Sequence, residues 1–131
     1  MRQKSKIEKQ TILINILKKV KTHTSKEQFL SSKQQQIHAL EKKGRVVALS
    51  FRYCQLKQVP EFIVDFRHLK YLDLTGNQIS TLPKWIKKLE VLESLFLDGN
   101  DLKRLPNRIT QLANLKHLHF DFNQIEFLPN N

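Results

Sequence analysis

LKYLDLTGNQISTLPKWIKKLEV, residues 69–91, sets the pattern for this chain because it recurs at a fixed period of 23 residues. Its first position falls on Val46, Leu69, Leu92 and Leu115, and its ninth on Cys54, Asn77, Asn100 and Asn123. Val59-Pro60, Leu82-Pro83, Leu105-Pro106 and Leu128-Pro129 hold the fourteenth and fifteenth positions, with no insertion between units. Self-similarity at such a period marks an array in which each unit buries its apolar face against its neighbours, and it outranks any local reading.

Each unit is apolar at its first, fourth, sixth and eleventh positions: Leu69, Leu72, Leu74 and Ile79, then Leu92, Leu95, Leu97 and Leu102. Alternation through Leu72 and Leu74 predicts a short strand with one face buried, since successive strand side chains point to opposite faces. The ninth-position Asn then has a mechanical task. Its amide can bond the backbone of neighbouring turns, so stacked units form a ladder that satisfies peptide groups buried where the chain bends. After Leu-Pro, the apolar pairs Ile86 and Leu89, and Ile109 and Leu112, turn the chain back and fill the core.

This pattern resembles the leucine-rich repeats, and within them the cytoplasmic class whose convex segment reads L-P-x-x-I-x-x-L. That class includes Ras-suppressor-like proteins, plant Ras-group-related proteins and many bacterial and archaeal arrays. The resemblance covers residues 46–131. It implies an α/β right-handed solenoid with short parallel strands on the concave side, irregular or 3₁₀ segments on the convex side, and a protein-binding use. Cys54 departs from it where Asn is usual, as do Phe51 and Phe66 where Leu is usual. The fourth unit stops at Asn131, short of the eighteenth and twenty-first positions that hold core residues in the others, so this end is expected to be unfinished as an independent fold.

Charge divides the chain differently from the repeats. The formal net charge is +11, but residues 1–45 hold 12 basic and 3 acidic side chains, whereas residues 46–131 hold 11 and 9. A basic N-terminal segment, residues 1–45, is therefore expected to precede the array. In it, Leu13, Ile16, Leu17 and Val20 give one apolar face to a helix over residues 6–20. A second helix is expected from Thr24 or Ser25, where Glu27 and Gln28 follow at capping-box distance, to a stop at Gly44 after Lys42 and Lys43. Its stripe is Phe29 or Leu30, Ile37 and Leu40, placed to cover the raw edge of the first repeat as a helical cap.

Several functional classes fall away. Arg2, Lys4 and Lys6 precede Ile12-Leu13-Ile14, but Asn15 interrupts that run and no small-residue cleavage site follows, so a secretory signal is not expected. No apolar segment has spanning length. Cys54 is the only cysteine, which leaves no internal disulfide framework and points to a structural thiol in a reducing, cytoplasmic setting. Gly44, Gly76 and Gly99 are too few and too scattered for a phosphate loop, and neither a nucleophile elbow nor a two-histidine zinc helix occurs. No enzyme, cofactor or metal site is expected. His117, His119 and Asp121 alternate along the fourth strand beside Asp98, a set that could hold zinc across strands about 4.8 Å apart, but such side chains on a solvated strand face read first as partner contacts.

Repeat phase names the recognition surface. With the fourth and sixth positions facing the core, the third, fifth and seventh face outward on the concave side and the eighth sits at the rim. The candidate partner-binding residues are Arg52, Tyr53, Tyr71, Asp73, Phe96, Asp98, His117, His119, Asp121 and Phe122, with Phe96 as the anchor. The expected function is a non-catalytic protein-interaction module, a scaffold or regulator in intracellular signalling. The alternative is nucleic-acid or anionic-surface binding by the basic N-terminal segment, which salt would weaken steeply.

Overall fold

The computed structural model describes residues 21–30 and 37–129. Six strands form one sheet in chain order: β1 (Lys21–His23), β2 (His38–Lys42), β3 (Arg45–Ser50), β4 (Tyr71–Asp73), β5 (Ser94–Phe96) and β6 (His117–His119). All neighbours pair in parallel except β2 with β3, which run antiparallel. From β3 onward each strand lies one repeat after the last, in register: Leu49, Leu72, Leu95 and Leu118 are aligned partners. Leu49, Leu72 and Leu95 are buried, while Leu118 in the fourth unit is half-buried.

Proline starts each return segment. Pro60, Pro83 and Pro106 sit before three five-residue 3₁₀ helices, η1 (Glu61–Asp65), η2 (Lys84–Lys88) and η3 (Asn107–Gln111). A fixed φ and a missing N–H cost little where a helix begins. Ile63, Ile86 and Ile109 each donate their N–H to the carbonyl of that proline, and each is buried against the sheet's inner face. Strand leucines, 3₁₀ isoleucines and the leucines that follow thus make one continuous core between sheet and return segments.

The asparagine ladder forms as expected. Asn77 accepts from the N–H groups of Cys54 and Leu56 and donates to the carbonyls of Phe51 and Leu74. Asn100 accepts from Ile79 and donates to Leu74 and Leu97; Asn123 accepts from Leu102 and donates to Leu97 and Phe120. Each amide therefore ties its own turn to the preceding one. Cys54 contributes only a 3.5 Å contact from Sγ to the carbonyl of Arg52, and burial pushes its thiol pKa up, away from a reactive thiolate.

The N-terminal cover differs from the expected long helix. Among the described residues of this segment only α1 (Lys26–Leu30) is helical; Ser25 caps it, its Oγ accepting from the Gln28 N–H and donating to Glu27. Residues 38–42 form strand β2 instead, joined to β3 by a turn in which Lys43 and Gly44 both have positive φ (53° and 75°). Gly44 takes the left-handed conformation that its position suggested, but in a hairpin turn. The reason lies outside the local sequence: β3 would otherwise present an unpaired edge, and β2 satisfies it through five register pairs. As a strand, residues 38–40 alternate, with Ala39 entering the main core and Leu40 turning to the opposite face, where it packs with Ala48 and Phe29. The helix expected over residues 6–20 lies outside the described residues.

Candidate functional site

The face of the sheet opposite the main core is lined by two rows. One is Ala48, Tyr71, Ser94 and His117; the other is Ser50, Asp73, Phe96 and His119. Parallel pairing in register brings these positions side by side every 23 residues, so the rows follow directly from the repeat.

Across them runs a chain of rings. Phe29 of α1 meets Tyr71 edge-on at 5.5 Å, Tyr71 lies 5.1 Å from Phe96, and Phe96 stacks on His119 at 4.7 Å with planes 21° apart. Beyond Phe29 the row continues to His23, which stacks on His38 and hydrogen-bonds to it at 2.9 Å. Phe96 is thus held between two neighbours and is only partly exposed, whereas His117, His119 and Asp121 are exposed.

Asp73 departs from the expected role. At 4% exposure it is buried, accepting from the Thr75 N–H and lying 3.7 Å from the guanidinium of half-buried Arg52. Its carboxylate orders the turn after β4 and is not offered to a partner. Asp98 is also engaged, accepting from the Asp121 N–H at 2.7 Å. Among the described residues no three His, Cys, Asp or Glu side chains converge as metal ligands, and His119 is taken up in the ring row.

At the rim all four eighth-position residues have positive φ: Tyr53, Gly76, Gly99 and Phe122. A Cβ on Gly76 would lie 2.3 Å from the Tyr53 ring, so glycine there is needed for close approach as well as for backbone conformation. Tyr53 folds over its neighbouring unit, while Phe122 stands 89% exposed.

Residues 18–131 match the family model described as a leucine-rich repeat region. The chain belongs to the leucine-rich repeat family. Among solved structures it is similar to a leucine-rich repeat protein of Leptospira interrogans, at 30% identity with a TM-score of 0.57. That match covers 70% of this chain and 21% of the other, so the chain spans about a fifth of that protein's length. No curated protein matches. Neither the family nor the solved relative indicates catalysis, and among the described residues no helix is long and apolar enough to cross a membrane.

Sequence phase placed Tyr71, Phe96, His117 and His119 of this leucine-rich repeat sheet on one face, and the structure joins three of them by ring contacts. It missed Phe29, His23 and His38. Phe29 carried a signal only as part of a helix stripe, and nothing in the spacing of two histidines 15 residues apart announces a buried pair.

Tyr71 reports on this face. Burial, and then the charge of Asp73, push its pKa up to about 12 from 10.0, with Arg52 opposing. The phenolate is disfavoured in the folded state, so this contribution to stability is fully present below pH 10 and lost as pH rises through about 12. Alkaline unfolding compared with Tyr71→Phe should show the loss in that window for the parent chain and a smaller one for the variant. Coincident curves would remove the assignment.

Proposed function

We propose that this leucine-rich repeat chain is a non-catalytic protein-interaction module that binds its partner on the open, concave face of the sheet. The observation that carries this reading is the ring row Tyr71–Phe96–His119, bordered by exposed His117, Asp121 and Phe122. Aromatic anchors fixed by their neighbours lose little conformational freedom on binding, which is what an interface centre requires. Right-handed coiling, favoured for parallel strand crossovers, and the LPxxIxxL class belong to the same reading. So does a scaffold or regulatory role in intracellular signalling, in keeping with the Ras-suppressor-like pattern. The rival, nucleic-acid or anionic-surface binding, rests on the basic segment of residues 1–45 and not on this face.

Recovery of a partner from lysate with the intact chain, followed by affinity measurement, tests the proposal. Phe96→Ala should weaken binding by more than about tenfold. Its two ring contacts predict a moderately lower melting temperature as well, so His117→Ala, exposed and outside the ring row, serves as the second variant and should weaken binding without altering the melt. Unchanged affinity in both variants would exclude this face. Binding that collapses with salt and disappears on charge reversal within residues 1–45 would favour the nucleic-acid reading.

A further inference from the structure

The return side of the array carries a groove of about 790 Å³ bounded by η2, η3 and the segment at Phe127. Lys84 and Lys87 come from one unit and Arg104 and Arg108 from the next, and Pro106, Phe127 and Leu128 add apolar surface to the same groove. No acidic side chain lines it, and among the described residues no ion pair engages any of the four cations. Residues 46–131 are nearly balanced in charge, so four unpaired cations in one groove are a local concentration.

Repeat architecture does not demand this. A groove one unit earlier shares part of this phase, with Glu61, Thr81, Pro83 and Trp85 where this one has Lys84, Arg104, Pro106 and Arg108, and its lining is mixed in charge. At the sixteenth position Glu61 gives way to Lys84, and at the thirteenth Thr81 gives way to Arg104, while the core positions between them stay apolar. Like charges crowded without counter-charge are costly to the fold and useful to an anionic ligand. Phe127 adds an apolar contact: it occupies the thirteenth position, which is exposed in every unit, and is itself 61% exposed. The Arg104 guanidinium lies 5.8 Å above its ring, an arrangement that holds the planar donor fork while leaving its edge available to a carboxylate.

We infer that this groove is a second binding surface, distinct from the concave face, and that it takes an extended acidic peptide segment of a partner protein. Carboxylates would engage Arg104, Arg108, Lys84 and Lys87, and an apolar side chain between them would rest on Phe127 and Pro106. A groove that offers four cations together with exposed apolar surface matches alternating acidic and apolar side chains on an extended strand, whereas a flat bilayer surface reaches only its rims.

Fluorescence anisotropy of a labelled glutamate–leucine peptide against the full chain tests this. Lys84→Glu/Arg108→Glu should weaken binding by about tenfold or more. Lys57→Glu/Arg67→Glu, with the same change in net charge away from the groove, should weaken it by no more than about twofold. Thermal melts confirm that each variant is folded. Equal losses in the two variants would reduce the effect to general attraction by a basic protein and overturn the assignment. Acidic vesicles or a single-stranded oligonucleotide binding in a groove-dependent way, with the peptide unbound, would also overturn it.

Discussion

Asn100→Leu is expected to lower stability by about 3–5 kcal/mol, a large share of the roughly 5–15 kcal/mol typical of a folded domain. The side chain is 4% exposed. Its Oδ1 accepts from the Ile79 N–H, which leucine would leave buried without that acceptor. Its Nδ2 donates to the carbonyls of Leu74 and Leu97, which are shared with Asn77 and Asn123 respectively. Each of those carbonyls would keep one amide partner and lose the other. With the weaker donation to the Asp98 carbonyl at 3.3 Å also gone, the substitution costs one orphaned donor and three weakened acceptors, and the damage reaches into the preceding unit. Urea unfolding measures it, with Asn114→Leu as the comparison. Asn114 bonds only to the Glu90 carbonyl and is exposed, so its loss should stay under about 1 kcal/mol. Similar midpoints for the two variants would mean that the ladder contributes no more than a surface amide.

Phe29→Ala should destabilise the N-terminal cover by about 3 kcal/mol, the low end for deleting a buried aromatic ring. Phe29 is 4% exposed and packs with Leu40 and Ala48 on the face of the sheet opposite the main core. Because α1 has five residues, most of its stability comes from that packing and little from its own hydrogen bonds. Loss of the ring should loosen β1, α1 and β2 together while the array beyond keeps its own core. Amide exchange in residues 38–42 would then accelerate by about a hundredfold, and amides of β5 would change far less. If both sets accelerated equally, the cover and the array would be one cooperative unit. If neither did, Phe29 would not be what holds α1 down. The same variant bares the end of the ring row at Tyr71, so its effect on partner affinity tests whether α1 limits the length of the proposed binding face.

Much of the fold was legible because the repeat states each requirement several times. The period placed Leu49, Leu72 and Leu95 on the buried side, and Asn77, Asn100 and Asn123 in the ladder. A parallel sheet in register turns a sequence period into a spatial one, so a residue's phase decides its face. Proline before each 3₁₀ helix works in the same way, since its constraint is carried by the residue itself.

Outside the repeat, and on the open face within it, tertiary neighbours decided. Residues 38–42, HALEK, carry no alternation of their own, and Leu40 fits a helical stripe; the free edge of β3 selected the strand. Asp73 has an outward phase, yet its turn and Arg52 enclose it, and Phe96 is held between rings supplied by the strands on either side. Lys84, Lys87, Arg104 and Arg108 become one groove only when successive units stack. By itself the sequence determined which side chains face the core, because burial there follows from periodicity alone. Which surface side chains meet, and therefore what the surface can bind, depended on units 23 residues apart being brought into contact, and only the tertiary structure decided that.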